Sequence, residues 1–219
     1  MKEAEDHNDI IVEDFHDTYL NLTIKTTYLL KWLGGASNCS RAKFVLKVEN
    51  VALSKHLSIY LSPRVTIRCL QVDDDVFVNP DQLWRTLESS HLYSVMVNMP
   101  ATSSPVNIDY ALIGHVMNTV PIRDPASKWY LPPTFYPLNI FPSFLSGTGY
   151  LLTGSLVPAL YSCALSTPFI NLEDVFLTGL CATTQLRSHP QFHTICETFL
   201  SPFGPYRPQN CTHLCMVNG

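Results

Sequence analysis

Hydrophobic positions in the first part of the chain predict a strand, a helix and a second strand. Residues 9–12 and 43–47 are short apolar runs rich in β-branched or bulky side chains, which is typical of buried strands. Between them, the large apolar residues from Tyr19 to Leu33 recur at helical spacing. Asp17 is the expected N-cap of this helix, and residues 34–35, both glycine, are expected to end it.

The alternation continues along the chain. The pattern predicts a strand over residues 72–78, a helix over 79–87 and a strand over 92–97. Two more helices are expected, one over residues 155–166 and one after Asp174. Such an order is typical of the α/β class, with a mostly parallel sheet flanked by helices and right-handed crossovers. We expect one domain over the whole chain.

Proline and aromatic residues are concentrated in residues 121–142. Aromatic side chains such as Trp129, Phe135 and Tyr136 are costly to leave in water. The segment is therefore predicted to be an irregular lid or substrate loop rather than a flexible linker.

Composition and charge exclude several classes of function. The chain is 46% hydrophobic and 15% charged, which suits a protein with a real core. Its net charge of −4 leaves no basic face for nucleic acid, which we exclude as a partner. The apolar residues 144–170 are broken by glycine and proline, so they do not predict a membrane span. The polar residues 1–6 do not resemble a signal peptide or an anchor.

The chain has seven cysteines, an odd number that would leave one unpaired in an oxidising compartment. Cys69 lies in an unusual segment, residues 48–71. If Cys69 is set aside, the number of cysteines is even. That count is compatible with disulfides in a lumenal protein.

Three adjacent carboxylates, Asp73, Asp74 and Asp75, lie in an apolar segment predicted to be a strand leading into a turn. Ligands bind at the carboxyl ends of strands in open α/β sheets. Because three neighbouring anions repel one another, the triplet indicates a bound hard divalent cation. Such a cation would neutralise the charge on a nucleotide diphosphate leaving group. The alternative is an acidic turn that caps the helix predicted to begin at Asn79.

Other residues also have two interpretations. Glu173 and Asp174 are either part of a catalytic site or a charge pair at the start of a helix. Gly147 and Gly149 either let the backbone approach a ligand closely or form a plain turn. Trp129 either stacks on a bound ligand or packs in the core.

A series of short motifs shares its order with a known family. The motifs are D-I-I at 9–11, D-F at 14–15, N-L-T-I-K-T at 21–26, A-K-F-V-L-K at 42–47, V-D-D-D-V-F-V-N at 72–79, K-W at 128–129, Y-P at 136–137, S-G-T-G-Y at 146–150, and E-D-V at 173–175 followed by Gly179 and Cys181. Together they resemble the β1,3-galactosyltransferase and β1,3-N-acetylglucosaminyltransferase family.

The resemblance implies a Rossmann-like GT-A-type fold, a UDP-sugar donor, a glycan acceptor on protein or lipid, and Mn²⁺ as cofactor. Asp75 would be the main manganese ligand, with Asp73 as the second metal-binding carboxylate. Asp73 and Asp74 would also hold the donor's ribose and sugar.

By the same resemblance, Asp174 would be the general base that deprotonates the acceptor 3-hydroxyl in a single inverting displacement. Gly147, Gly149 and Glu173 would contribute to donor binding, and Trp129 to the acceptor site or lid. The family is anchored in the Golgi membrane with its catalytic domain in the lumen, which is the location expected for this protein.

The sequence departs from the family pattern at three places. At the C-terminal one, His213 is out of pattern for the histidine expected after E-D-V, so no metal-binding histidine is assigned. An N-terminal anchor, the helix after it and a first strand are missing before residue 9, so we expect a fragment of the catalytic domain. Residues 48–71 interrupt the direct passage from F-V-L-K into V-D-D-D, and we interpret them as an in-frame retained intron. If this segment is real, residues 65–70 can replace 43–47 as the strand before Asp73. The alternative function is a truncated, non-catalytic glycosyltransferase-like protein.

Overall fold

The computed structural model describes residues 13–35, 42, 44–47, 68–71, 110–184 and 193–196. The predicted strands at 9–12, 72–78 and 92–97, the predicted helix at 79–87 and the Asp73–Asp75 triplet lie outside the described residues.

Among the described residues, five strands form a sheet with the order β2-β1-β4-β3-β5. Its strands are β1 (Phe44–Lys47), β2 (Arg68–Gln71), β3 (Ala111–Met117), β4 (Phe144–Thr153) and β5 (His193–Cys196). Helices accompany the sheet, so the predicted α/β class is confirmed.

The expected mostly parallel sheet needs a correction at its centre. Strands β1 and β2 pair in parallel, as do β3 and β5, but β4 runs antiparallel to both β1 and β3. The physical reason lies in residues 118–143, which connect β3 to β4 without a helix. A parallel neighbour requires a crossover connection, whereas a chain that folds straight back pairs antiparallel. The sheet is therefore mixed.

Residues 68–71 occupy a place that the sequence did not predict. Strand β2 pairs with β1 in register from Phe44 opposite Arg68 to Lys47 opposite Gln71. The expectation that this segment would replace residues 43–47 is therefore wrong. The new strand adds to the edge of the sheet, and β1 keeps its position between β2 and β4.

Helix α1 (Leu22–Gly34) follows a 3-10 turn (Tyr19–Asn21), and this confirms the first predicted helix. Gly35 ends it, as expected. The expected capping by Asp17 is wrong, because the first turn begins one residue later and its N-cap position falls on Thr18. The Asp17 carboxylate instead pairs with the Lys25 ammonium at 3.3 Å.

Helix α2 (Val157–Ser166) follows a short 3-10 turn (Gly154–Leu156) and confirms the helix predicted over residues 155–166. It has proline in its first turn, where the missing N–H costs nothing. It packs against α1. The core between helices and sheet includes the fully buried side chains of Leu30, Leu112, Leu145 and Leu160. Each contributes about 1.5–3 kcal/mol by leaving water.

The helix predicted after Asp174 is also present, as a π-helix (Val175–Cys181) with Asp174 at its N-cap. In the part of the chain that the structure describes, no helix combines the length and apolarity needed to cross a bilayer.

Two buried cysteines connect α2 to the π-helix without a disulfide. Cys163 and Cys181 are free thiols, and their sulfur atoms lie 3.3 and 3.8 Å from the Thr167 hydroxyl. Burial raises the pKa of the Cys181 thiol. The even cysteine count is compatible with disulfides, but Cys163 and Cys181 form none, and both thiols act as weak hydrogen-bonding groups in the core.

Candidate active site

A cavity of about 350 Å³ opens where the first half of β4, the start of the π-helix and residues 118–143 meet. We call residues 118–143 the rim loop. Most of the cavity wall is apolar, with Met117, Val120, Ile122, Trp129, Phe141 and Phe144 among its lining residues. Polar groups come from Ser146, Asn171, Glu173 and Asp174. We call Glu173 and Asp174 the carboxylate wall.

Asp174 is held on both of its carboxylate oxygens by backbone N–H groups. Val175 N–H donates to Oδ1 at 2.8 Å, and Gly147 N–H donates to Oδ2 at 3.1 Å. The first bond is the helix cap, and the second reaches across from β4. Because each carboxylate oxygen has more than one lone pair, both oxygens keep acceptor capacity toward the cavity.

The surroundings of Asp174 favour its protonated form. Burial is the largest cause that raises its pKa, and the negative charge of Glu173 is the second. The Val175 and Gly147 N–H groups and the Lys47 ammonium lower the same pKa, but they do not cancel the rise. A carboxylate with a raised pKa is a stronger base than an ordinary aspartate, and one that faces a cavity is placed to accept a proton there.

Gly147 is adjacent to Asp174, as its N–H contact shows. A Cβ atom at this position would lie 3.3 Å from Asp174 Oδ2, which is a tight contact. What the structure shows for Gly147 is thus a close approach to the carboxylate, and its donor-binding role stays a prediction. Gly149 lies on β4 outside the cavity lining, and its predicted role is likewise untested.

Glu173 is almost completely buried, although it lines the cavity. Its Oε2 pairs with the Lys47 ammonium, and its Oε1 accepts a hydrogen bond of 2.6 Å from the Tyr150 hydroxyl. Both oxygens are therefore engaged within the protein. These contacts favour a role in organising the site over the predicted role in donor binding.

Trp129 lines the cavity with 43% of its surface exposed. The Lys128 ammonium lies 4.3 Å from the centre of its ring. Of its two sequence interpretations, core packing does not agree with this exposure. The indole offers a flat apolar surface to whatever enters the cavity.

The rim loop is organised by Arg123, a residue that the sequence analysis missed. Its guanidinium donates to the carbonyls of Leu131 at 2.5 Å, Tyr136 at 2.7 Å and Leu138 at 2.8 Å. Only the planar, multi-donor guanidinium can serve several carbonyls in this way. A lone arginine among prolines gives no sequence signal for such a role.

The aromatic residues of the rim loop divide into two groups. Tyr136 is buried and packs against Phe141 at 5.1 Å between ring centres. Phe135 is 60% exposed. The expectation that the aromatic side chains of this loop avoid water therefore holds for Tyr136 and is wrong for Phe135.

The predicted metal ligands Asp73 and Asp75, with Asp74 between them, lie outside the described residues. Within the ranges that the structure does describe, no group of three or more His, Cys, Asp or Glu side chains could hold a metal ion. The manganese site stays a prediction.

Comparison with known proteins identifies the family of this chain. The sequence profile of the galactosyltransferase family matches residues 1–56 and 61–190, and the chain belongs to this family. The predicted family is confirmed.

Individual relatives make the likeness more specific. The chain is 35% identical over 189 residues to beta-1,3-galactosyltransferase 1 of Mus musculus and, equally, of Homo sapiens, covering 86% of this chain and 45% of each relative. It is 30% identical over 201 residues to beta-1,3-galactosyltransferase 5 of Homo sapiens, covering 87% of this chain and 50% of that relative. The chain thus spans about half the length of the curated relatives it matches.

Proposed function

We propose that the protein transfers galactose from UDP-galactose to the 3-hydroxyl of a glycan acceptor, with inversion, on a GT-A-type fold. The observation that carries the proposal is Asp174, which faces the cavity, is fixed by two backbone N–H groups and has a raised pKa. The names of the relatives, beta-1,3-galactosyltransferases 1 and 5, support galactose as the transferred sugar.

In the proposed reaction Asp174 accepts the proton of the acceptor hydroxyl. The acceptor oxygen forms a bond to C1 of galactose on the face opposite to UDP, and the bond from C1 to the diphosphate oxygen breaks. UDP leaves with the electron pair, and the proton resides on Asp174 until solvent removes it. The raised pKa favours this transfer because base strength increases with pKa.

The Asp73–Asp75 triplet fits Mn²⁺ by its chemistry, since carboxylate oxygens suit this ion. Asp75 and Asp73 would hold the metal, and Asp74 the donor sugar or ribose. When bound, the metal would neutralise the charge that develops on the departing diphosphate.

The apolar part of the cavity suits the acceptor. Sugar rings present apolar C–H faces, and the half-exposed Trp129 indole provides a flat partner for one. Ser146 and Asn171, also in the lining, could hydrogen-bond sugar hydroxyls. The acceptor would be a glycan on protein or lipid, met in the Golgi lumen.

The test is Asp174→Asn, assayed with UDP-galactose, Mn²⁺ and benzyl glycosides of galactose and N-acetylglucosamine. Asparagine preserves size and helix capping but cannot accept the proton. Turnover should fall about 100-fold with donor binding nearly unchanged.

The matched control is Asp124→Asn. Asp124 also accepts a backbone N–H, from Ala126 at 3.0 Å, but it is exposed and outside the cavity lining. Its turnover should stay normal. If Asp174→Asn keeps more than about a tenth of the rate, Asp174 is not the base. Absence of transfer by the unsubstituted chain would overturn the proposal and favour the non-catalytic alternative.

A further inference from the structure

Glu173 of the carboxylate wall belongs to a buried group of three polar side chains, together with Lys47 and Tyr150. Lys47, the last residue of β1, and Tyr150, on β4, are directly opposite each other in the antiparallel pair. Each is only 1% exposed. The Lys47 ammonium binds Glu173 Oε2 and lies 5.3 Å from the centre of the Tyr150 ring, while the Tyr150 hydroxyl binds Glu173 Oε1 at 2.6 Å. We call these three residues the Lys47 network.

Stability alone does not explain the Lys47 network. Removing two charges from water is costly, and apolar residues of similar volume in place of a buried ion pair are often as stable or more so. Both oxygens of Glu173 have protein partners. A buried carboxylate that is paired in this way without a clear benefit to stability suggests a role in the adjacent site.

The neighbouring strand is shaped to leave room for Tyr150. Gly114 on β3 lies opposite Tyr150, and a Cβ atom there would be 3.1 Å from the Tyr150 Cβ and 3.3 Å from the Gly149 carbonyl oxygen. The absence of a side chain at Gly114 therefore lets β3 pack closely against the base of the Tyr150 side chain.

We infer that Lys47 and Tyr150 are positioning residues for Asp174: they hold Glu173 as a buried carboxylate next to the candidate base in the chain, and so fix the place and the electrostatic surroundings of that base. The role in transfer rests on the proposed function. The effect on Asp174 itself does not, because it can be measured without any substrate.

The charges within the Lys47 network act on Asp174 in opposite directions. Glu173 raises the pKa of Asp174, and Lys47 lowers it. Tyr150 adds no charge while its hydroxyl is protonated, so its effect is positional. Among the described residues, Tyr19 is the one further titratable side chain that lines the cavity.

The first measurement is the pH titration of the Asp174 carboxyl carbon by NMR in the full chain and in Glu173→Gln. Glutamine keeps the size and one acceptor but removes the negative charge. The pKa of Asp174 should move down, and the acidic limb of the turnover profile should move to lower pH with it. An unchanged Asp174 titration would overturn the inference.

The second measurement is turnover by Tyr150→Phe, which removes the hydroxyl and keeps the ring. We expect turnover to fall about tenfold with donor KM unchanged, because a small misplacement of a reacting group slows transfer steeply. The matched control is Tyr136→Phe, which removes a partly buried hydroxyl that donates to the Ile140 carbonyl at 2.9 Å; Tyr136 lies outside the cavity lining. Equal turnover losses in both variants would contradict a positioning role.

Lys47 is tested in the double variant Lys47→Met/Glu173→Gln, which leaves no buried ammonium without its carboxylate. If Glu173→Gln does not fold, the titration of Asp174 is measured in this double variant. Its Asp174 pKa should also move down, because Glu173 affects that pKa more than Lys47 does. If Lys47 acts through Glu173, the double variant should fold and should lose no more turnover than Glu173→Gln does. A further tenfold loss would overturn the assignment of Lys47.

The two hypotheses fail in different ways. If the Asp174 pKa moves down as expected but neither the parent chain nor a variant transfers galactose, the Lys47 network is supported and the proposed function is rejected. If transfer occurs and the Asp174 pKa is the same with and without the Glu173 charge, the proposed function stands. The assignment of Lys47 and Tyr150 as positioning residues is then rejected.

Discussion

The two sides of the cavity are held in place by different means. The carboxylate wall is fixed by buried side chains, since Lys47 and Tyr150 engage Glu173 from the centre of the sheet. The rim loop is fixed in part through its backbone, because Arg123 binds three of its carbonyls. Several of its side chains are correspondingly free of the core, with Phe135 and Ile140 exposed by 60% and 70%.

This difference predicts separate roles, with proton transfer at the carboxylate wall and acceptor recognition at the rim loop. A group that accepts a proton must be placed closely, and a network of buried hydrogen bonds achieves this at the cost of tolerating few substitutions. A loop that is fixed through its carbonyls can change its outward side chains without changing its path. We therefore expect substitutions in the carboxylate wall to affect turnover, and exposed substitutions in the rim loop to affect acceptor binding.

The largest expected effect comes from breaking the rim loop at Arg123. Arg123→Met keeps the aliphatic stem but leaves three carbonyls without their donor. The free energy of unfolding should fall by about 2–3 kcal/mol, because hydrogen bonds to a charged donor are worth more than neutral ones. Urea unfolding measures it. Arg123→Lys should recover only part of the lost stability, since one ammonium cannot span all three carbonyls. If Arg123→Met lowers the free energy of unfolding by less than about 0.5 kcal/mol, the loop holds its shape by other contacts.

The fold was predictable from the sequence where the pattern is local. The helices over residues 19–33 and 155–166 were found because their apolar positions repeat every three or four residues. Strands β3 and β4 were missed. Residues 144–153 contain two glycines and two threonines, so they looked like an interrupted apolar segment instead of a strand. The direction of β4 depends on how residues 118–143 return to the sheet, which no local pattern records.

The candidate site was predictable only in part. Asp174 was identified through a family motif, and the structure places it in a cavity. Its support was not identified, because Lys47 and Glu173 are 126 positions apart in the chain. A buried lysine at the end of a strand has no distinctive sequence signal before the strand order and register are known. The contact depends on β1 and β4 being neighbours in the sheet.

A smaller effect should separate two aromatic residues of the rim loop. Trp129 lines the cavity, whereas the more exposed Phe135 does not. Trp129→Ala should raise the KM for the acceptor about tenfold, which corresponds to about 1.4 kcal/mol, and leave turnover at saturating acceptor nearly unchanged. Phe135→Ala is the matched control and should change neither constant. Equal effects from both substitutions would mean that the whole exposed surface, and not the cavity, contacts the acceptor.

The smallest effect is the pH dependence of stability that the carboxylate wall should confer. Burial and Glu173 raise the pKa of folded Asp174 above the usual aspartate pKa of about 3.9, so the folded protein holds this proton more tightly than the unfolded chain. This stabilisation is fully present below the unfolded pKa and is lost as the pH rises through the folded pKa.

The Asp174→Asn variant has no titrating group at this position. Its free energy of unfolding, relative to that of the parent chain, should therefore increase as the pH rises from below the unfolded aspartate pKa of about 3.9 to neutral. Urea unfolding of both proteins across this range measures the difference. Tyr136→Phe, from the rim loop, removes no group that titrates between these limits and should give a constant difference from the parent. If the Asp174→Asn difference is constant as well, the buried surroundings of Asp174 do not favour its proton, and the contrast between the two sides of the cavity would rest on hydrogen bonding alone.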